Sequence, residues 1–176
     1  MDVLARIFGI AGIAATVIIY QQRGRQKLLL FKLISDVLWL LHYFFLGAYS
    51  GAAISVIAII RELVFINRDK SNWAKNPVWL YLFLGISAVS AIMTWKGALS
   101  LLPMLASMAA VVGFWIGKPK FSRILSFPIA SCMLTYDFFS GSVEGCINEL
   151  LTLCSSAYGY YRFDRKGAEN VNNSQK

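Results

Sequence analysis

Five ionisable residues stand out inside the long apolar stretches of this 176-residue sequence: Asp36, His42, Arg61, Asp137 and Glu149, with Glu62 a sixth beside Arg61. A charged side chain at the centre of a bilayer costs about 2.5–3.5 kcal/mol on the insertion scale, so such residues face a partner or a water-filled cavity. The segment around Glu149 carries the clearest pattern. Gly145, Glu149, Thr152 and Ser156 recur at spacings of four, three and four, which is one face of a helix, with Asn148 and Ser155 flanking it. A polar stripe on an otherwise apolar helix predicts a face turned to protein or water. Two readings stand: Glu149, Asn148 and Thr152 contact a solute or couple a proton, or they pair and pack helices through hydrogen bonds.

Earlier in the chain, Gly51, Ser55 and Ala58 form a small-residue face leading towards Arg61 and Glu62. This face and the Glu149 stripe are expected to line one central path. Arg61 either snorkels to the headgroups or pairs with Glu149 or Glu62. Adjacent residues point about 100° apart on a helix, so no direct Arg61–Glu62 pair is expected. Depths differing by about 5–8 Å disfavour Arg61–Glu149. Trp39 and His42 share a face at spacing three, while Asp36, near mid-helix, needs a partner. His42 is either part of an interfacial aromatic belt or a titratable gate. Pro103 and Pro128 interrupt apolar runs and, with Gly47, Gly51, Gly141 and Gly145, are hinge candidates. No nucleophile–base set, phosphate-cradling glycine loop or metal-ligand cluster accompanies these residues. Cys132, Cys146 and Cys154 show no CxxC spacing, so neither enzyme activity nor a cofactor nor a metal is expected.

The elements that must position these groups follow from composition. Hydrophobic residues make up 57% and charged residues 15%, against about 25% charged in a soluble domain. Seven apolar runs can be marked: about Val3 to Tyr20, Leu28 to Leu46, Gly51 to Ile66, Pro77 to Trp95, Gly97 to Gly117, Ile124 to Ser140 and Gly141 to Tyr161. They are too long and too evenly apolar for barrel strands, and predict an all-α bundle of seven transmembrane helices. The net charge of +8 does not imply nucleic-acid binding, because the cations sit in clusters between the runs. One side collects Arg23, Arg25 and Lys27, then Arg68, Lys70 and Lys75, then Lys118, Lys120 and Arg123, then Arg162, Arg165, Lys166 and Lys176. The other side holds only Arg6 and Lys96. Basic loops stay in the cytoplasm, so the N-terminus is expected outside and the C-terminus inside. Trp73, Trp79, Trp95 and Trp115 are expected as interfacial anchors, and 167–176 as a disordered cytoplasmic tail. The partners expected are the lipid bilayer, an unknown small solute and, for so small a bundle, a second copy in a homodimer.

An internal repeat is also visible. FFLGAYSG (44–51) and FFSGSVEG (138–145) place two glycines four apart behind two phenylalanines, at an offset of 94. At offset 95, residues 10–20 lie over 105–115. Helices one to three (about 3–68) thus match helices five to seven (about 97–162), with the helix at about 77–95 as linker in a bundle spanning 1–166. That parallel three-plus-one-plus-three order resembles the SWEET sugar transporters, the PQ-loop proteins and PnuC-type carriers. The proline–glutamine pair of the PQ-loop pattern is missing at the expected helix. A closer resemblance is to the bacterial inner membrane family typified by YgjV. It is carried by HYFFLGAYSGA (42–52) with Arg61, LLPMLAS (101–107), FFSGSVEG with Glu149, and Arg162. It implies location in the inner membrane. Together the polar stripe and the repeat predict a small-solute transporter that works by rocking two helical triplets, or a non-transporting sensor or assembly protein on the same scaffold.

Overall fold

The computed structural model describes residues 2–93, Trp95 and 97–165. The expected tail at 167–176, with Lys96 and Lys166, lies outside the described residues. Within them the chain is helical throughout, in the order α1 (Asp2–Ile19), α2 (Arg25–Leu46), α3 (Tyr49–Asn67), a single-turn α4 (Asn72–Lys75), α5 (Val78–Met93), α6 (Leu101–Ile116, entered through a 3-10 turn at Ala98–Ser100), α7 (Pro119–Ser140) and α8 (Val143–Gly159). A wider π turn, Tyr160–Arg165, continues α8. By length and composition, Arg25–Leu46 and Ala98–Ile116 are long and apolar enough to cross a membrane, while Val3–Ile19 and Val78–Met93 are apolar but shorter. Many large apolar side chains point outward, among them Ile10, Ile54, Tyr81 and Ile92.

The helices pack mainly on their neighbours in sequence. α1 lies on α2 and α2 on α3, then α5 on α6, α6 on α7 and α7 on α8, while α8 also returns to α1. Local chemistry sets the boundaries. Gly47 and Gly141 end α2 and α7 in the left-handed region, at φ 78° and 73°, where a Cβ would be strained. The two turns are bonded alike: Gly47 N–H donates to Phe44 O and Ala48 N–H to Tyr43 O, as Gly141 N–H does to Phe138 O and Ser142 N–H to Asp137 O. Both helices are 22 residues long. Gly51 lies in the first turn of α3. A Cβ on Gly145 would run into the Asp137 carboxyl, so this glycine serves close helix approach.

Pro103 does not interrupt its helix as expected. It is the third residue of α6, where backbone N–H groups have no intrahelical acceptor, so the ring costs no bond there. Pro128 does lie inside α7, which continues through it. Trp115 is not an interfacial anchor either. It is buried in a core at the basic end of the bundle, with Ile19, Leu28, Leu29, Phe65, Phe83 and Phe114.

Arginines lock that same end. Arg123, 1% exposed, donates from Nε to Tyr20 O (2.8 Å), from Nη2 to Gln22 O (2.5 Å) and from Nη1 to Asp164 (2.8 Å). Arg25 pairs with Asp69 at 2.5 Å and donates to Phe65 O. Arg68 donates to Trp115 O and covers its ring. Its guanidinium pKa is held below the usual range, first by desolvation and then by the nearby Arg25 charge.

Candidate functional site

A cavity of about 230 Å³ lies between α1, α2, α6, α7 and α8. The periodicity of α2 brings Lys32, Asp36 and Trp39 to its wall, and that of α8 brings Asn148, Glu149 and Thr152. Five of the eight residues singled out by sequence therefore meet across a gap of more than 100 residues in the chain. Aromatic walls come from Tyr20 and Phe114 as well as Trp39. Gly12 permits Trp39 to lie against α1, since a Cβ there would stand 3.3 Å from the indole. The ring then stacks on Tyr43 at 5.8 Å and meets His42 edge-on.

Inside the cavity wall, Lys32 Nζ donates to Asp36 Oδ1, one helical turn away. Asp36 is 7% exposed and its Oδ2 has no hydrogen-bond partner among the described residues. Asn148 Nδ2 donates to Glu149 Oε1 at 3.2 Å, leaving Asn148 Oδ1 buried and unbonded. Thr152 is buried on the same face of α8. Ser155, flanking the stripe, joins α8 to α1: its hydroxyl donates to Val17 O at 2.5 Å and accepts from Gln21. The helix-packing reading thus holds for Ser155, while Glu149 and Thr152 face the cavity.

His42, Ser55 and Arg61 are not brought there. His42 Nδ1 contacts Ala5 O at 2.8 Å, and its ring fits against Gly9 of α1. Ser55 is buried on α3. Arg61 lines a second cavity, of about 500 Å³, between α3, α5, α6 and α7, together with Ala58 and Pro103. The expected single path is therefore two cavities, and Ala110 and Ile129 belong to the walls of both. The expectation that Arg61 and Glu62 do not pair is also overturned. Arg61 Nη2 stands 3.0 Å from Glu62 Oε1, and Nε donates to the same oxygen at 3.1 Å. The long guanidinium stem spans the angle between adjacent residues, and Glu62 is fully buried, where only a close cation offsets its desolvation. Lys32 and Asp36 also lie within electrostatic range of Glu62, so two cations and two carboxylates share this region of α2 and α3.

Sequence reasoning missed Lys32 and Ser35. The signal for Lys32 is its spacing of four from Asp36 on one helix face. Ser35 bonds Thr16 across α1 and α2 at 3.0 Å, a contact that only packing reveals.

Residues 3–167 match the family Imp-YgjV, described as a bacterial inner membrane protein. Over 145 residues the chain is 21% identical to the inner membrane protein YgjV of Escherichia coli (strain K12), covering 82% of this chain and 74% of that protein. No solved structure matches, so the likeness to the sugar carriers stays one of expected helix order. An all-helical chain with an apolar exterior, matched along nearly its whole length, belongs to the bacterial inner membrane protein family of YgjV.

Proposed function

We propose that this protein is a multi-pass small-solute carrier in which α1–α3 and α6–α8 form two parallel triplets joined by α5, and all seven long helices cross the bilayer. The N-terminus lies outside and the C-terminus in the cytoplasm, an orientation that the clustering of cations supports. Helices of 16–22 residues reach roughly 24–33 Å against a hydrocarbon core of about 30 Å. α2 and α7 begin 94 residues apart, as do α3 and α8, and the matched glycine turns support equivalent triplets.

The observation that carries the carrier reading is the cavity joining Asp36 and Trp39 of the first triplet to Asn148, Glu149 and Thr152 of the second. Polar groups gathered between two triplets are where a rocking carrier holds its solute. The decisive experiment is uptake of a broad solute panel into liposomes containing the purified protein, with Glu149→Gln alongside. Saturable uptake of one solute class, lost in the variant while the protein stays folded, is expected. If no solute moves and Glu149→Gln only lowers thermal stability, the carrier reading fails. The closed Lys32–Asp36 and Arg61–Glu62 pairs favour the second reading in that event: a sensor or assembly protein whose buried charges are structural.

A further inference from the structure

We infer that the solute taken by the cavity between α2 and α8 is a small cation bearing a protonated amine, held by Asp36, Asn148 and Glu149. The inference deepens the carrier reading and rests on it for the ligand's fate, while the binding step stands apart from transport. Three observations carry it.

First, the unbonded buried atoms on this wall are all acceptors. Among the described residues Asp36 Oδ2 and Asn148 Oδ1 have no donor, and the bond from Asn148 Nδ2 to Glu149 fixes the amide with its oxygen as the free end. A buried acceptor left unpaired is costly, so the complementary ligand supplies N–H donors. Second, the charges do not balance. Lys32, Asp36 and Glu149 are the charged residues lining the cavity. Lys32 is matched by Asp36, which leaves Glu149 with an amide as its hydrogen-bond partner among the described residues. A buried carboxylate of that kind is complemented by a cation. Third, the remaining walls suit a small organic cation. Trp39, Tyr20 and Phe114 contribute aromatic surface, and the Lys32 ammonium already stands 5.8 Å from the Phe114 ring centre. At about 230 Å³ the space is smaller than the roughly 300–1,000 Å³ of sites for drug-sized ligands.

The test uses four solutes of one length that differ in charge: 4-aminobutan-1-ol, butane-1,4-diol, 4-aminobutyrate and 4-hydroxybutyrate. Each is titrated into the purified full chain in lipid nanodiscs, with binding read by calorimetry and by thermal shift. The amino alcohol is expected to bind at least about tenfold more tightly than the diol, zwitterion or acid. Asp36→Asn and Glu149→Gln should each erase that preference. Equal binding of diol and amino alcohol, preference for the zwitterion or the acid, or no binding of the amino alcohol overturns the proposal. So does a response to sodium or potassium chloride with none to the amine. The wild-type series decides by itself if a variant does not fold. Amine binding without uptake in liposomes sinks the carrier reading and leaves this assignment standing; uptake confined to neutral solutes does the reverse.

Discussion

Replacing Arg123 by alanine should be among the most damaging single changes in the protein, although the residue itself lines neither cavity. Its guanidinium is buried and divides its donors among Tyr20 O, Gln22 O and Asp164, so one side chain ties the α1–α2 connection to α7 and to the turn after α8. Asp164 is only 11% exposed at its side chain. Removing the cation leaves that carboxylate and two carbonyls without their donor. Breaking a buried pair from one side costs about 3–5 kcal/mol. For a chain of this size each kcal/mol moves the midpoint by about 2–4 °C, so Tm should fall by roughly 6–20 °C. Thermal unfolding of the purified protein in detergent, followed by tryptophan fluorescence, measures this directly. Asp164→Asn keeps an acceptor and should cost less, and the double-mutant cycle should return a coupling of about 0.5–3 kcal/mol. A fall of less than about 2 °C for Arg123→Ala, or additive losses in the cycle, would refute the clamp.

Other substitutions probe separate contacts. Gly159→Ala should cost about 1–3 kcal/mol by overpacking, because a Cβ there would press on the Tyr20 carbonyl and the Arg123 stem; unfolding at the wild-type temperature would count against that close approach. Gly47→Ala and Gly141→Ala should each cost about 1–2 kcal/mol, since both positions are left-handed, and markedly unequal losses would speak against equivalent turns. Arg61→Met alone strands the buried Glu62 and should cost about 3–5 kcal/mol, whereas adding Glu62→Gln should restore much of the loss. Equal stability of the single and double variants in the same assay would show that the pair is not coupled.

What could be read from the sequence was whatever depends on local periodicity. The Glu149 stripe needed only the helical repeat, and the turns at Gly47 and Gly141 needed only glycine after a phenylalanine pair. Their common geometry fits the offset of 94 between the two sequence motifs. Pairings between distant segments were out of reach. Arg123 reads in sequence as one more loop cation, and nothing near it announces Asp164 or the Tyr20 carbonyl. The Arg61–Glu62 pair was misjudged for a different reason: Cβ directions set where side chains start, while long flexible stems and the cost of an unpaired buried carboxylate set where they end. The single path failed because the separation by Ala110 and Ile129 arises from α6 and α7, which no pattern on α3 or α8 encodes.

The two glycine-capped bends also limit how the molecule can breathe. Only two residues separate Leu46 from Tyr49, and two separate Ser140 from Val143. Three virtual bonds pulled taut span about 11 Å, little more than the usual gap of 8–10 Å between packed helix axes. Each pair is therefore stapled at that rim and cannot splay there. On the proposed carrier reading, a mouth at that rim would open along the seam between the two triplets, so a crosslink across the seam should block uptake where one within either bend should not.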